Sequence, residues 1–374
     1  MEILDSHQRL AVDGTSTDQV PFGSNCVRLS GREWLIVAVV ISSLFYCISI
    51  LWKHIEKFEP VSDYRFQYKL SDDYWLYNRY CQWACSDEKT LMIGDSFIWG
   101  HYVSEDNTLS HYLNGIAGRD MFVNMGVDGI HPVALAGLLK YYSRDISGKN
   151  IILHFNPLWM SSKKHDLQIE KEFNFNHPKL VPQFIPNIPC YKVSFSVRIS
   201  AVIERYISFF SWTSHLKKAY FDGQDIPAWT LEHPYKNPLN NITMEIPASN
   251  GYNSSDNLPW YEKGLATEDI RWVALENSLQ WKFFERSIEL LRNRKNRVFV
   301  LVGPFNEHIL KGGSINTYQQ IKKEIEAWLQ QSNIPYYMPE ALPSEMYCDA
   351  SHPMSEGYTE LARQLFKYAY SGAD

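Results

Sequence analysis

The feature that most constrains this chain is an alternation. From Lys89 onward short apolar runs, Thr90–Ile93, Met121–Met125, Asn150–Phe155, Arg297–Val302 and the weaker Pro335–Met338, take turns with segments of helical periodicity. Those segments are Asn107–Ala117, Pro132–Ser143, Ile270–Arg294, Thr317–Gln331 and Ser355–Tyr370. Apolar runs this short read as buried strands. Strands separated by helices pair in parallel, because a parallel connection needs a crossover and a helix supplies it. The expected fold is therefore α/β, a three-layer sandwich around a central parallel sheet, with right-handed crossovers. Between the third and fourth strands the chain is too long for a plain connection. It is read as an insertion at about 157–269, rich in Pro, Asn and aromatic residues, with one helical piece at Val193–Phe210.

Ahead of the sheet, Trp34–Trp52 runs for 19 residues without a charge. At 1.5 Å per residue this matches the ~30 Å hydrocarbon core of a bilayer, and a Trp at each end suits the two interfaces. One transmembrane helix is expected over 33–53, making a single-pass membrane protein. The run is preceded by a polar, flexible tail, 1–32, and followed by a stalk rich in Tyr and Trp, 54–87; the folded domain spans 88–372. A buried core helix is the competing reading, and no polar stripe supports it. Arg28 and Arg32 precede the run while Lys53, Lys57, Arg65 and Lys69 follow it, so loop charge does not orient it.

A hydrophobic fraction of 45% with 21% charged residues is the balance of a folded protein that buries a sizeable core. Net charge is −6 and the basic residues are scattered, which argues against nucleic acid as a partner. The six cysteines form no Cys-x-x-Cys pair and no zinc-like spacing. Cys81 and Cys85 are either a local disulfide or two buried thiols.

The chemistry starts at Leu91-Met92-Ile93-Gly94-Asp95-Ser96. A strand that stops at Gly-Asp-Ser presents a hydroxyl at the carboxyl edge of the sheet, where open α/β folds bind ligands. Ser96 is the candidate nucleophile, and it needs a base held by a third group. Asp349 and His352, three residues apart just before the last helix, meet that need: the carboxylate holds one imidazole nitrogen and the other faces outward. His101 and His111 are read as part of a solvated helix start, Asp128 as a turn residue and His154 as a core histidine. No metal cluster or cofactor is called for.

These blocks resemble the SGNH (GDSL-type) hydrolase superfamily over about residues 88–372, minus the insertion. Gly94-Asp95-Ser96 matches its first block. Asn124-Met125-Gly126 matches the second, which implies that the Gly126 amide joins the Ser96 amide in an oxyanion hole. Asp349 and His352 match the last. The third block departs: His154-Phe155-Asn156-Pro157 keeps the Asn but not the neighbouring Gly and Asp, so Asn156 is the implied side-chain donor and Asn306 its runner-up. Asn306, Glu307, His308 and Trp159 are candidate substrate contacts at the same sheet edge.

The resemblance implies an esterase or O-acyltransferase without cofactor. It would move an acyl group, acetyl foremost, on an acylated small molecule or a polysaccharide, with the domain outside the cytoplasm and a membrane-bound acyltransferase as a partner. Two other readings stand beside it, a non-catalytic scaffold of a polysaccharide-modifying assembly and a lipid-directed esterase.

Overall fold

The structure, a computed structural model, describes residues 29–246 and 257–370. Most of the expected tail, residues 1–28, lies outside them, as do the last residues of the domain. The described residues fall into two units divided between Cys47 and Ile48.

The first unit contains most of helix α1, Gly31–Ile55. Its 25 residues are long and apolar enough to cross a membrane. Side chains such as Trp34, Leu35, Leu44 and Tyr46 are exposed all round it, and Ser49 is its one buried residue. A core helix would bury these groups, so that reading falls.

In the second unit five parallel strands, β1 (Thr90–Gly94), β2 (Phe122–Gly126), β3 (Asn150–Phe155), β4 (Arg297–Val302) and β5 (Tyr336–Tyr337), stand in the order β2-β1-β3-β4-β5. The sheet works because the side chains alternate. Leu91, Ile93, Ile151, Leu153, Val298 and Val300 face one core, which helices α5 (Pro132–Tyr141), α9 (Leu279–Asn293) and α10 (Ser314–Gln331) cover. Met92, Phe122, Ile152 and Leu301 face the other, covered by α4 (Leu109–Ala117) and α11 (Ser355–Tyr370). Burying both faces is what makes these strands near-continuous apolar runs. The expected α/β sandwich is the observed architecture.

Three segments differ from expectation. The stalk 54–87 is part of the domain: α2 (Tyr74–Ala84) and the residues before it put Tyr64, Phe66, Tyr77 and Tyr80 into the main core. The helix expected from Ile270 starts only at Leu279, because the Ser278 hydroxyl accepts the Trp281 amide and caps it there. In the insertion, the piece expected at Val193–Phe210 is two helices, α6 (Phe195–Tyr206) and α7 (Ser208–Tyr220), broken at the extended, β-branched Ile207. Cys81 and Cys85 are free thiols, and burial pushes Cys85 up to about 11.

Candidate active site

The order β2-β1-β3 reverses direction at β1, and the crevice beyond the carboxyl ends of β1 and β3 is where such sheets bind ligands. Ser96 leaves β1 at that point and opens a one-turn helix, α3 (Ser96–Trp99). Close approach dictates the residues around it. A Cβ on Gly94 would lie 2.5 Å from Ile98 Cγ1 and 2.7 Å from His154 Cβ, and one on Gly126 would lie 2.2 Å from the Trp99 nitrogen. A glycine at 126 lets the end of β2 pack against the backbone of α3, and one at 94 leaves room for the Ile98 and His154 side chains at the end of β1.

The other half of the site comes from the far end of the chain. His352 Nε2 is 2.8 Å from Ser96 Oγ across 256 residues of sequence. Its Nδ1–H donates to Asp349, 2.9 Å from Oδ1 and 2.8 Å from Oδ2. Asp349 Oδ1 also accepts the Ser351 and His352 amides, at 2.8 and 2.9 Å, so the carboxylate is fixed by its own turn. Two further bonds tie this turn to the rest: Asn306 Nδ2 donates to the Asp349 carbonyl at 3.1 Å, and Tyr358 on α11 donates to the Phe97 carbonyl at 2.8 Å.

Electrostatics follow the geometry. Burial disfavours charge on His352, but Asp349 in contact, with Asp95 and Asp128 farther off, outweighs it and raises His352 above its ordinary value. Burial would likewise raise Asp349, yet the imidazole and two amides hold it well below the usual carboxylate range. Ser96 and His352 are each 8% exposed.

Asp95 organises the floor. Its Oδ1 accepts the Phe97 amide at 3.0 Å, while Oδ2 accepts Asn156 Nδ2 at 2.9 Å and Trp159 Nε1 at 3.0 Å. His154 Nδ1 lies 3.2 Å from Asp95 Oδ1, stacked on Phe97, and His154 Nε2–H donates to the Gly303 carbonyl at 3.1 Å. Burial works against charge on Asp95, but His154 and the Asn156 hydrogen bond bring its carboxyl down to about 2. Asn156 keeps a second N–H, since an amide has two. The Ser96 amide opens a helical turn, where no preceding carbonyl is placed to receive it. The Gly126 amide is engaged: it donates to Asn124 Oδ1 at 3.0 Å, so an oxyanion there must share or displace that bond.

Three candidate substrate contacts turn out to be braces. Asn306 is fully buried under the Asp349 turn, and its Oδ1 accepts the His308 amide. Glu307 is held by Lys322 at 2.8 Å and by Gln319, while His308 Nε2–H donates to the Leu342 carbonyl at 3.0 Å. Each spends its polar group inside the fold. Trp159 gives its N–H to Asp95 and leaves part of its ring exposed.

His101 is better placed than the sequence indicated. Its ring centroid is 5.0 Å from that of His352, and its Nδ1 is 3.0 Å from Asp128 Oδ1 and 3.3 Å from the Tyr68 hydroxyl. The next residue, Tyr102, has a left-handed backbone (φ 68°) and sets its ring edge-on to His352 at 5.6 Å. Lys263 from the insertion caps Tyr102, its Nζ 3.6 Å from the ring centroid. No spacing in the sequence links these groups; the helical turn after Ser96 is the one signal that brings residues 101 and 102 back beside the nucleophile. His111 instead pairs with Asp63 at 3.3 Å. At the opposite edge of the sheet, a cleft of about 500 Å³ between Thr90, Met121, Asn150 and Arg297 has neither histidine nor carboxylate in its lining. Among the described residues no group of His, Cys, Asp and Glu is arranged to hold a metal ion.

No family model matches this chain, and no curated protein does. Among solved structures, one described as a lipolytic protein of the G-D-S-L family from Desulfitobacterium hafniense DCB-2 is similar over 75% of this chain and 98% of its own. The sequence identity is 11% and the TM-score 0.36. A likeness that distant assigns no residue here a role.

Proposed function

We propose that this chain is a membrane-anchored serine esterase or O-acyltransferase of the SGNH kind, working through an acyl-Ser96 intermediate. The observation that carries the reading is the continuous line Ser96 Oγ, His352 Nε2, His352 Nδ1, Asp349, each link 2.8–2.9 Å. As Ser96 Oγ attacks an ester carbonyl, His352 Nε2 takes the hydroxyl proton and Asp349 stabilises the imidazolium. The tetrahedral oxyanion is met by the Ser96 amide and the spare N–H of Asn156, with Gly126 as a third donor if Asn124 yields. Such donors are worth roughly 3 kcal/mol each in barrier.

Collapse expels the alcohol, which takes the proton back from His352, and leaves acyl-Ser96. Water then gives hydrolysis, whereas a second alcohol gives transfer; the same residues serve both. Acetyl as the acyl group, a carbohydrate as its carrier and a domain outside the cytoplasm are the finer parts of the reading and rest on the family resemblance. Anchoring rests on the length, composition and exposure of α1.

The test uses the full-length chain in detergent against p-nitrophenyl acetate, alongside Ser96→Ala. Turnover that disappears in the variant supports the reading. A folded wild type no faster than Ser96→Ala rejects it.

A further inference from the structure

Helix α1 is already attached to the insertion before its charge-free run ends. The hydroxyl of Ser49 lies 2.9 Å from that of Ser208, and one turn on Trp52 packs edge-on against Trp212 at 5.4 Å. Ser208 opens α7 immediately after the break at Ile207. A residue bonded to Ser49 sits at Ser49's level along the helix. That level is three residues inside Trp52, about 5 Å at 1.5 Å per residue. If α1 crosses a bilayer, as the proposed function has it, the α6–α7 corner lies where hydrocarbon gives way to headgroups.

What the corner presents at that level is apolar. Tyr206, Ile207 and Phe210 are 62%, 43% and 39% exposed. At the other end of α6 Phe195 is 70% exposed, with Phe184 5.8 Å away and Ile185 beside it 91% exposed. Exposed apolar clusters of this kind mark an interaction surface. Aromatic side chains on a helix at this depth are what an interfacial helix buries in lipid. A water-borne partner cannot reach residues level with Ser49 without entering the bilayer.

We infer that the corner formed by α6 and α7 is a lipid-facing surface, seated on phospholipid of the same membrane that α1 crosses. The domain then rests on the bilayer at two points, α1 and the α6–α7 corner, and tilts less than a single anchor allows.

The experiment places the photo-crosslinking residue p-benzoylphenylalanine, one position at a time, at Leu44 in α1, at Ile207 and Phe210 in the corner, and at Ile116, an exposed residue on α4. Each full-length protein is irradiated in nanodiscs of phosphatidylcholine and phosphatidylglycerol, and its intact mass is read. The expected result is a phospholipid adduct at Leu44 and at one or both corner positions, with none at Ile116. An adduct at Leu44 with none at either corner position overturns the inference while leaving the span intact. So does a corner position that crosslinks to a second copy of the chain, or an Ile116 adduct as strong as the corner's. No adduct at Leu44 removes the membrane reading of α1, and the inference with it.

Discussion

His352 and His215 each hold a carboxylate through Nδ1, and only His352 is placed to do chemistry. His352 has Asp349 on Nδ1 and the Ser96 hydroxyl on Nε2 at 2.8 Å. His215, on α7, has Asp73 on Nδ1 at 2.6 Å and Glu56 on Nε2 at 2.9 Å, with all three side chains no more than 1% exposed. Glu56 also accepts from Tyr220 at 2.6 Å and Trp52 at 2.9 Å and pairs with Arg79, so this knot ties the end of α1 to α2 and α7. Burial alone would discharge His215, but the two carboxylates prevail and lift it to about 9. A carboxylate on the second nitrogen fixes a proton there; a hydroxyl leaves a lone pair able to take one. The distinction between a brace and a base thus lies in one partner atom.

The sharpest way to break the comparison is at the partners themselves. Ser96→Ala and His352→Ala should each cut ester turnover by roughly 10⁴-fold or more, and Asp349→Asn by about 10⁴-fold, with Ser96→Ala leaving thermal stability little changed. Steady-state assays paired with melting curves check this. The reverse is expected at the brace. Glu56→Gln or His215→Ala leaves buried charges uncompensated and should cost about 3–5 kcal/mol of unfolding free energy, while the remaining folded protein still labels at Ser96. Denaturant titration reads that loss.

pH should separate the two histidines without mutation. Because His215 is held charged up to about 9, its contribution to stability is complete below its ordinary value near 6.5 and is lost as pH rises through about 9, a change of about 3 kcal/mol. His352 acts as a base only when neutral, and its value is raised. Activity should therefore climb with pH to a plateau reached above 6.5, over the range in which stability starts to fall. A pH–rate profile and a pH–stability profile on one preparation test both signs.

The smallest effect is expected on the floor of the site. Trp159→Phe removes one of the donors to Asp95 and should cost about 1.5–3 kcal/mol, the range for a hydrogen bond to a charged group, shared between stability and kcat. Denaturant titration and kcat measured together show how the loss divides.

The two regions were not equally legible in the sequence. Gly94-Asp95-Ser96 ends an apolar run and Asp349 lies three residues from His352, so each half of the site is a local pattern, and the alternation of strands and helices places both at one sheet edge. The brace has no local pattern, because Glu56 and His215 are 159 residues apart and Asp73 and His215 are 142 apart. The segment 54–87 reads as a stalk because aromatic residues without a period carry no signal of burial, yet Tyr64, Phe66 and Tyr80 pack on one another and join the main core, Tyr80 through its hydroxyl on the Asn124 carbonyl. Asn306, Glu307 and His308 show the opposite error. Their place after β4 was readable, but the bonds that turn them inward, to Asp349, Lys322 and Leu342, depend on packing that no spacing encodes.

The most direct test of the central claim is covalent labelling of the full-length protein with a fluorophosphonate, with the modified residue located by peptide mass analysis. A single adduct on Ser96 is expected, abolished in Ser96→Ala, strongly slowed in His352→Ala and retained in the folded fraction of His215→Ala. A well-folded protein that takes no label at Ser96, or labels there just as fast without His352, would contradict the claim.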